Sequence, residues 1–147
     1  MATSSEYGAP ARYCEVSAPA PVLALAPSML IEQVFLNLVL NALKAMPSGG
    51  RLLVNVAEEE AWVAVSFSDT GPGLPAEIAG RLFQPFRRAR PDRSSTGLGL
   101  FISHALMTRA GGTIEAASRP GEGTTFLVRL RRAPEASLGE RAAEGTA

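Results

Sequence analysis

The sequence predicts an α+β domain, and three observations carry the prediction. The run from Leu30 to Met46, LIEQVFLNLVLNALKAM, is apolar almost all the way round a helical wheel, as a helix buried on several sides would be. Segments such as Arg51–Ala57 and Trp62–Asp69 alternate side chains with a period of two, the pattern of strands. The short polar turn Glu58-Glu59-Glu60 between those two suggests an antiparallel hairpin. At 147 residues the chain is one ordinary domain with room for a core.

Composition narrows the function classes. A formal net charge of zero gives no support to a nucleic-acid or membrane-surface role. With Cys14 the only cysteine and His104 the only histidine, an internal disulfide and a Cys/His zinc site are both out of reach. The opening residues MATSSEYG do not read as a signal peptide. Leu30–Met46 is too short and too polar for an untilted membrane span. The expectation is a soluble, cytoplasmic chain with no membrane contact.

Taken in order, residues 1–11 lack apolar periodicity and are expected to be flexible. Arg12–Ser17 reads as a strand with Cys14 and Val16 on one face. Pro19 and Pro21 interrupt it, and Val22–Leu25 reads as a second short strand leading through Pro27 into the long helix. Ser28 is the expected cap of that helix, because its hydroxyl can accept from a free first-turn N–H. Pro47, Ser48 and the Gly49-Gly50 pair end it. One narrow strip of the helix is polar: Gln33, Asn37, Asn41 and Lys44, the only lysine in the chain. At about 100° per residue these four fall within roughly 80° of one another. Amides and an ammonium on a buried helix are costly unless other side chains or a polar ligand satisfy them.

The strand Trp62–Asp69 puts Val63, Val65 and Phe67 on one face, and the same parity turns Asp69 inward. Gly71, Pro72 and Gly73 then force a turn where backbone can approach a ligand closely. Pro75–Leu82 reads as a short helix, with Pro75 near its first turn. After Leu82–Phe86, the segment Arg87–Thr96 is polar, basic and proline-broken, a candidate lid. Gly97–Leu100 opens a second helix with Leu98, Phe101, Ile102, Ala105 and Leu106 on one side, stopped by Gly111-Gly112. His104, flanking that stripe, reads as structural. Thr113–Ala117 and Thr124–Leu130 are two further strands joined by SRPGEG. The Ala-, Glu- and Gly-rich remainder, residues 133–147, is expected to be a flexible tail, which leaves 12–132 as the folded domain.

Four motifs in one order now carry a resemblance. NLVLNALKAM resembles the N box, DTGPGL the first glycine box, LFQPF the F box, and STGLGL with the downstream GEGTTF the second glycine box and closing glycine–threonine element of the GHKL ATPases. Together they are similar to the catalytic, ATP-binding domain of a bacterial two-component sensor histidine kinase. The match covers roughly Val22–Arg131. It implies a two-layer sandwich, a mixed and mostly antiparallel sheet covered on one face by about three helices, with ATP held between helices and sheet under a lid.

The resemblance also implies roles. Asn41 corresponds to the residue that binds Mg2+, Asn37 faces metal and phosphates, and Lys44 reaches phosphate; these three would be the catalytic set. Asp69 corresponds to the carboxylate that accepts from the adenine amino group, and Gly71 and Gly73 let the turn approach the base. Gly97, Leu98 and Gly99 offer amides to the phosphates at a helix start, where N–H groups and the helix dipole favour anions. Thr124 lies near the adenine end. Phe83 and Phe86 anchor the lid, and Arg87, Arg88, Arg90 and Arg93 lie in it. No acceptor-histidine segment precedes the N box. The implied activity, donation of the γ-phosphoryl group of MgATP to a histidine, therefore needs a separate dimerisation/phosphoacceptor domain, in cis or in trans. A response-regulator receiver would take the phosphate next. Ala26 stands where relatives often have an acidic residue, and Ala45 where many have an aromatic. Alternatives of the same fold are a hydrolytic ATPase, which carries glutamate at position 37, a stand-alone nucleotide sensor, and an anti-sigma-type serine kinase.

Overall fold

The computed structural model describes residues 11–84 and 98–134. Its element order is β1 (Arg12–Ser17), α1 (Ser28–Ala45), β2 (Gly50–Glu58), β3 (Trp62–Asp69), α2 (Ala76–Ala79), α3 (Gly99–Arg109), β4 (Thr113–Ser118) and β5 (Thr124–Arg131). The strands form one sheet in the order β1-β2-β3-β5-β4. Among the described residues only β1 and β2 run parallel, and α1 supplies the crossover that a parallel pair requires. The other neighbours are antiparallel, with Leu52 opposite Asp69 in β2–β3 and Asp69 opposite Thr124 in β3–β5.

Period two decides which face is dry. Leu52 and Val54 of β2, Val63, Val65 and Phe67 of β3, Ile114 of β4, and Phe126, Val128 and Leu130 of β5 point to one side. There they meet Val34, Leu38 and Ala42 of α1 and Met107 of α3. Phe35 adds an edge-on ring contact to Phe67, centroids 5.1 Å apart. The opposite face is polar: Arg129 pairs with Glu59 and Glu115, both at 3.5 Å, and the Arg131 guanidinium lies 5.2 Å from the Trp62 ring. The result is the expected mixed sheet with helices on one face.

Several local expectations give way. Ser28 does not cap α1: the Pro27 carbonyl accepts from Leu30 and Ile31, and no side chain takes part. Pro27 is already extended, at φ −61° and ψ 130°, so the chain turns into the helix there and Ser28 is its first residue. Val22–Leu25 is not a strand but one bridge, Ala24 to Arg132, flanked by Leu25 N–H to the Arg131 carbonyl. Prolines on both sides remove the donors a longer ladder needs. Ala133, assigned by sequence to the tail, donates to the Leu23 carbonyl at 2.7 Å and is only 8% exposed.

The second helix turns a different face inward from the one its apolar stripe suggested. Ser103 is fully buried beside Met107, while Phe101 and Ile102 stay 40% and 42% exposed. Among the described residues no helix is long and apolar enough to cross a membrane.

Candidate functional site

Asp69 ends β3 on the dry face and is 7% exposed. Its Oδ1 accepts from the Gly71 N–H at 2.9 Å and from the Thr124 N–H at 3.3 Å. Among the described residues no donor reaches Oδ2. Burial raises the carboxyl pKa above its ordinary value, and the two backbone N–H groups pull it partly back. An ionised carboxylate here can only accept, so a group that satisfies Oδ2 must bring an N–H or O–H.

Backbone packing fixes the turn that follows. Gly73 has φ +70°, and a Cβ there would overlap the Arg119 carbonyl. Gly123 has φ +73°, and a Cβ there would overlap the Asp69 carbonyl. Gly121 N–H donates to the Pro72 carbonyl at 2.7 Å. The glycine turn and the β4–β5 turn therefore lock against each other. At Gly73 the close approach is to protein backbone, whereas Gly71 lies against Ala45 of α1 and Asp69 Oδ1.

The polar strip of α1 runs along the flank that faces α3. Gln33 and Lys44 are exposed, while Asn37 and Asn41 are half-buried. Asn37 Nδ2 donates to the Gly99 carbonyl at 3.3 Å and to Ser103 Oγ at 3.1 Å, and Ser103 Oγ donates to the same carbonyl at 2.9 Å. Neighbours thus hold the Asn37 amide. The Asn41 and Lys44 side chains make no hydrogen bond among the described residues.

Gly99 begins α3, with half-buried Leu98 before it and no side-chain cap on its first turn. The helix start is thereby tied to α1 through Asn37, and among the described residues its first N–H groups find no side-chain acceptor. Gly97, Phe86 and Arg87, Arg88, Arg90 and Arg93 of the expected lid lie outside the described residues. Phe83 packs edge-on against Phe126, centroids 6.3 Å apart, and against the His104 ring at 5.5 Å. His104 itself is exposed, with its ring against Phe83.

Two residues outside the sequence expectations help to build this region. Ser103 anchors Asn37; nothing in an apolar stripe marks it, because its burial depends on the partner helix. Ser118 accepts from the Leu74 N–H at 2.8 Å and bonds Gly123 and Thr124. Its parity with Ile114 and Ala116 was a usable signal for an inward hydroxyl.

The donor set can be tested against Mg2+. Among the described residues no group of three or more His, Cys, Asp or Glu could hold a metal ion. A single amide oxygen from Asn41 suits Mg2+ only when phosphate oxygens and waters supply most of the octahedron. The residues fit a metal that arrives with a polyphosphate.

The chain is 39% identical over 117 residues to the C4-dicarboxylate transport sensor protein DctB of Rhizobium meliloti (strain 1021). That alignment covers 78% of this chain but 18% of DctB, so the chain spans less than a fifth of that relative's length. Its fold is similar to the catalytic domain of histidine kinase ThkA, with a TM-score of 0.72, 28% identity, and coverage of 84% of this chain and 82% of that one. It is also similar to full-length ShkA in complex with AMPPNP, with a TM-score of 0.70, 28% identity, and coverage of 86% and 26%. The model of the histidine kinase-, DNA gyrase B- and HSP90-like ATPases matches residues 27–134. Those residues take in α1, the Asp69 turn and the start of α3, and the chain belongs to that ATPase family.

Proposed function

We propose that this domain binds MgATP and presents its γ-phosphoryl group to a histidine on a separate dimerisation/phosphoacceptor domain in two-component signalling in the cytoplasm. The observation that carries the reading is the buried Asp69, with one oxygen held by two backbone N–H groups and the other without a protein donor among the described residues. That oxygen suits the exocyclic amino group of adenine. Thr124 flanks it on the next strand. Lys44 supplies a point charge for the phosphates, and the first N–H groups of α3 offset charge nearby. Asn41 is the residue to hold Mg2+, which when bound neutralises phosphate charge and orients the transferring group. The similarity to ShkA, solved with an ATP analogue, supports a nucleotide in this fold.

Transfer to a histidine is favoured over hydrolysis by Asn37. An amide cannot act as general base toward water, and its nitrogen is already engaged by Gly99 and Ser103. The apolar side chains of Leu36 and Leu40 on α1, and of Phe101 and Ile102 on α3, are exposed and available to an acceptor domain. A response-regulator receiver would then take the phosphoryl group from the histidine.

Calorimetry with ATP, in the presence and absence of Mg2+, tests the first half; no Mg2+-dependent binding would overturn it. Incubation of the domain and γ-labelled ATP with an acceptor-histidine hairpin tests the second. Label on the hairpin is the expected result, and nucleotide binding without transfer to any cognate hairpin would favour a sensor.

A further inference from the structure

We infer that Ser118 is a positioning residue for base selection: it orients the Thr124 hydroxyl as an acceptor toward the base and thereby favours a 6-amino purine over a 6-oxo purine. The inference rests on the reading of the Asp69 corner as the base site.

Asp69, Thr124 and Ser118 form one row across three adjacent strands. Asp69 of β3 is opposite Thr124 of β5, and Thr124 is opposite Ser118 of β4. Residues so paired stand about 4.5–5.5 Å apart at Cα, and all three belong to the helix-facing parity. The Ser118 hydroxyl has three contacts: the Leu74 N–H at 2.8 Å, the Gly123 carbonyl at 3.1 Å and Thr124 Oγ1 at 2.8 Å.

A serine hydroxyl has one proton to give and two lone pairs to accept with. The Leu74 N–H can only donate, so it uses one lone pair. The Gly123 carbonyl can only accept, so it takes the proton. All three contacts are satisfied together only if Thr124 donates to the second lone pair. The Thr124 proton is then committed to Ser118, and toward the base its oxygen can only accept.

Beside the open Oδ2 of Asp69, the corner presents two acceptors. A 6-amino group has two N–H donors and can meet both. A 6-oxo group has none, and would set its lone pairs against both oxygens. Were the Thr124 hydroxyl free to rotate, it could donate to a 6-oxo group and relieve half of that conflict. Ser118 removes that freedom without touching the nucleotide.

The test compares ATP with ITP, which differ at the purine 6-position and the adjoining ring nitrogen, by calorimetry on the protein and three variants. The unmutated protein is expected to prefer ATP. Ser118→Ala is expected to narrow the ATP/ITP affinity ratio about fivefold, the weight of one ordinary hydrogen bond. Ser118→Thr, which restores the hydroxyl, is expected to keep the ratio. Thr124→Val removes the acceptor itself and leaves the Ser118 bonds to Leu74 and Gly123 in place, so it should narrow the ratio and keeps the idea testable if Ser118→Ala does not fold. A Ser118→Ala protein that loses affinity for both nucleotides equally would reduce Ser118 to a structural clasp and overturn the inference. So would an unchanged ratio in Thr124→Val. Equal binding of ATP and ITP by the unmutated protein would instead overturn the base-site reading itself, a separate failure.

Discussion

Asp69 is buried at a cost, and that cost has a measurable sign. Its folded-state pKa lies above the ordinary value, so the folded protein holds the proton more tightly than the unfolded chain does. The protonated form therefore stabilises the fold at acid pH, and this contribution fades as pH rises through the carboxylate range. At neutral pH the ionised group costs stability. Asp69→Asn should accordingly raise the melting temperature at pH 7, with the gain shrinking as pH falls toward about 4 and changing no further below it. The same substitution places a donor where the base needs an acceptor, so ATP affinity should drop; a thermal-melt series and a titration on one sample check both. Asn41 is the opposite case. It is half-buried and makes no hydrogen bond among the described residues, so Asn41→Ala should leave the melting curve in place. Mg2+-dependent ATP affinity should fall by more than about tenfold, since even outer-shell partners of a metal are worth that much. Unchanged calorimetric affinity would remove Asn41 from the metal site.

At the scale of elements, the two glycine turns act as one part. Gly123 lies against the Asp69 carbonyl and Gly73 against the Arg119 carbonyl, each at positive φ. Gly123→Ala combines a left-handed backbone with a clash against β3, and should cost about 2 kcal/mol or more in a urea titration. Because the clash is with the backbone of Asp69 itself, nucleotide affinity should fall further than stability alone explains. The long helix α1 is held by its centre: Leu38 is fully buried in the cluster between α1 and the sheet. Leu38→Ala should destabilise by about 2–5 kcal/mol, the range for a leucine removed from a closed core. The helices α1 and α3 are joined on their upper flank by the polar set Asn37, Ser103 and Gly99, so the start of α3 is placed by an amide as well as by apolar packing.

For the whole molecule, nucleotide and fold should be linked. A ligand that binds only the folded state at about 100 times its Kd adds about 2.7 kcal/mol of stability. ATP with Mg2+ should therefore raise the melting temperature, and EDTA should return it close to the nucleotide-free value. An equal shift with EDTA present would separate nucleotide binding from the metal. The molecule is also asymmetric in what it exposes. One sheet face is covered by helices and the other carries ion pairs, while Leu36 and Leu40 of α1 and Phe101 and Ile102 of α3 keep apolar surface in water.

Much of this was legible in the chain. Period-two alternation placed β2 and β3 to within a residue and turned Asp69 inward, because alternation on a half-buried sheet leaves little freedom of facing. The spacing of Asn37, Asn41 and Lys44 put them on one strip of α1 for an equally local reason, the fixed pitch of the helix. Helix periodicity pointed α3 the wrong way: its apolar stripe put Phe101 and Ile102 on the expected inner side, and the structure buries Ser103 and Met107 instead. A serine was buried there because Asn37, distant in sequence, waited to bond it. Nor could the chain disclose that Gly73 meets the Arg119 carbonyl, or that Ser118 joins Leu74, Gly123 and Thr124. What the sequence determined by itself was the five strands of the sheet, the inward turn of Asp69 on β3 and the polar strip of α1, all of which follow from short-range geometry. What only the tertiary structure decided was which polar groups are already satisfied and which remain open, since hydrogen-bond partners come from strands and helices far apart in the chain.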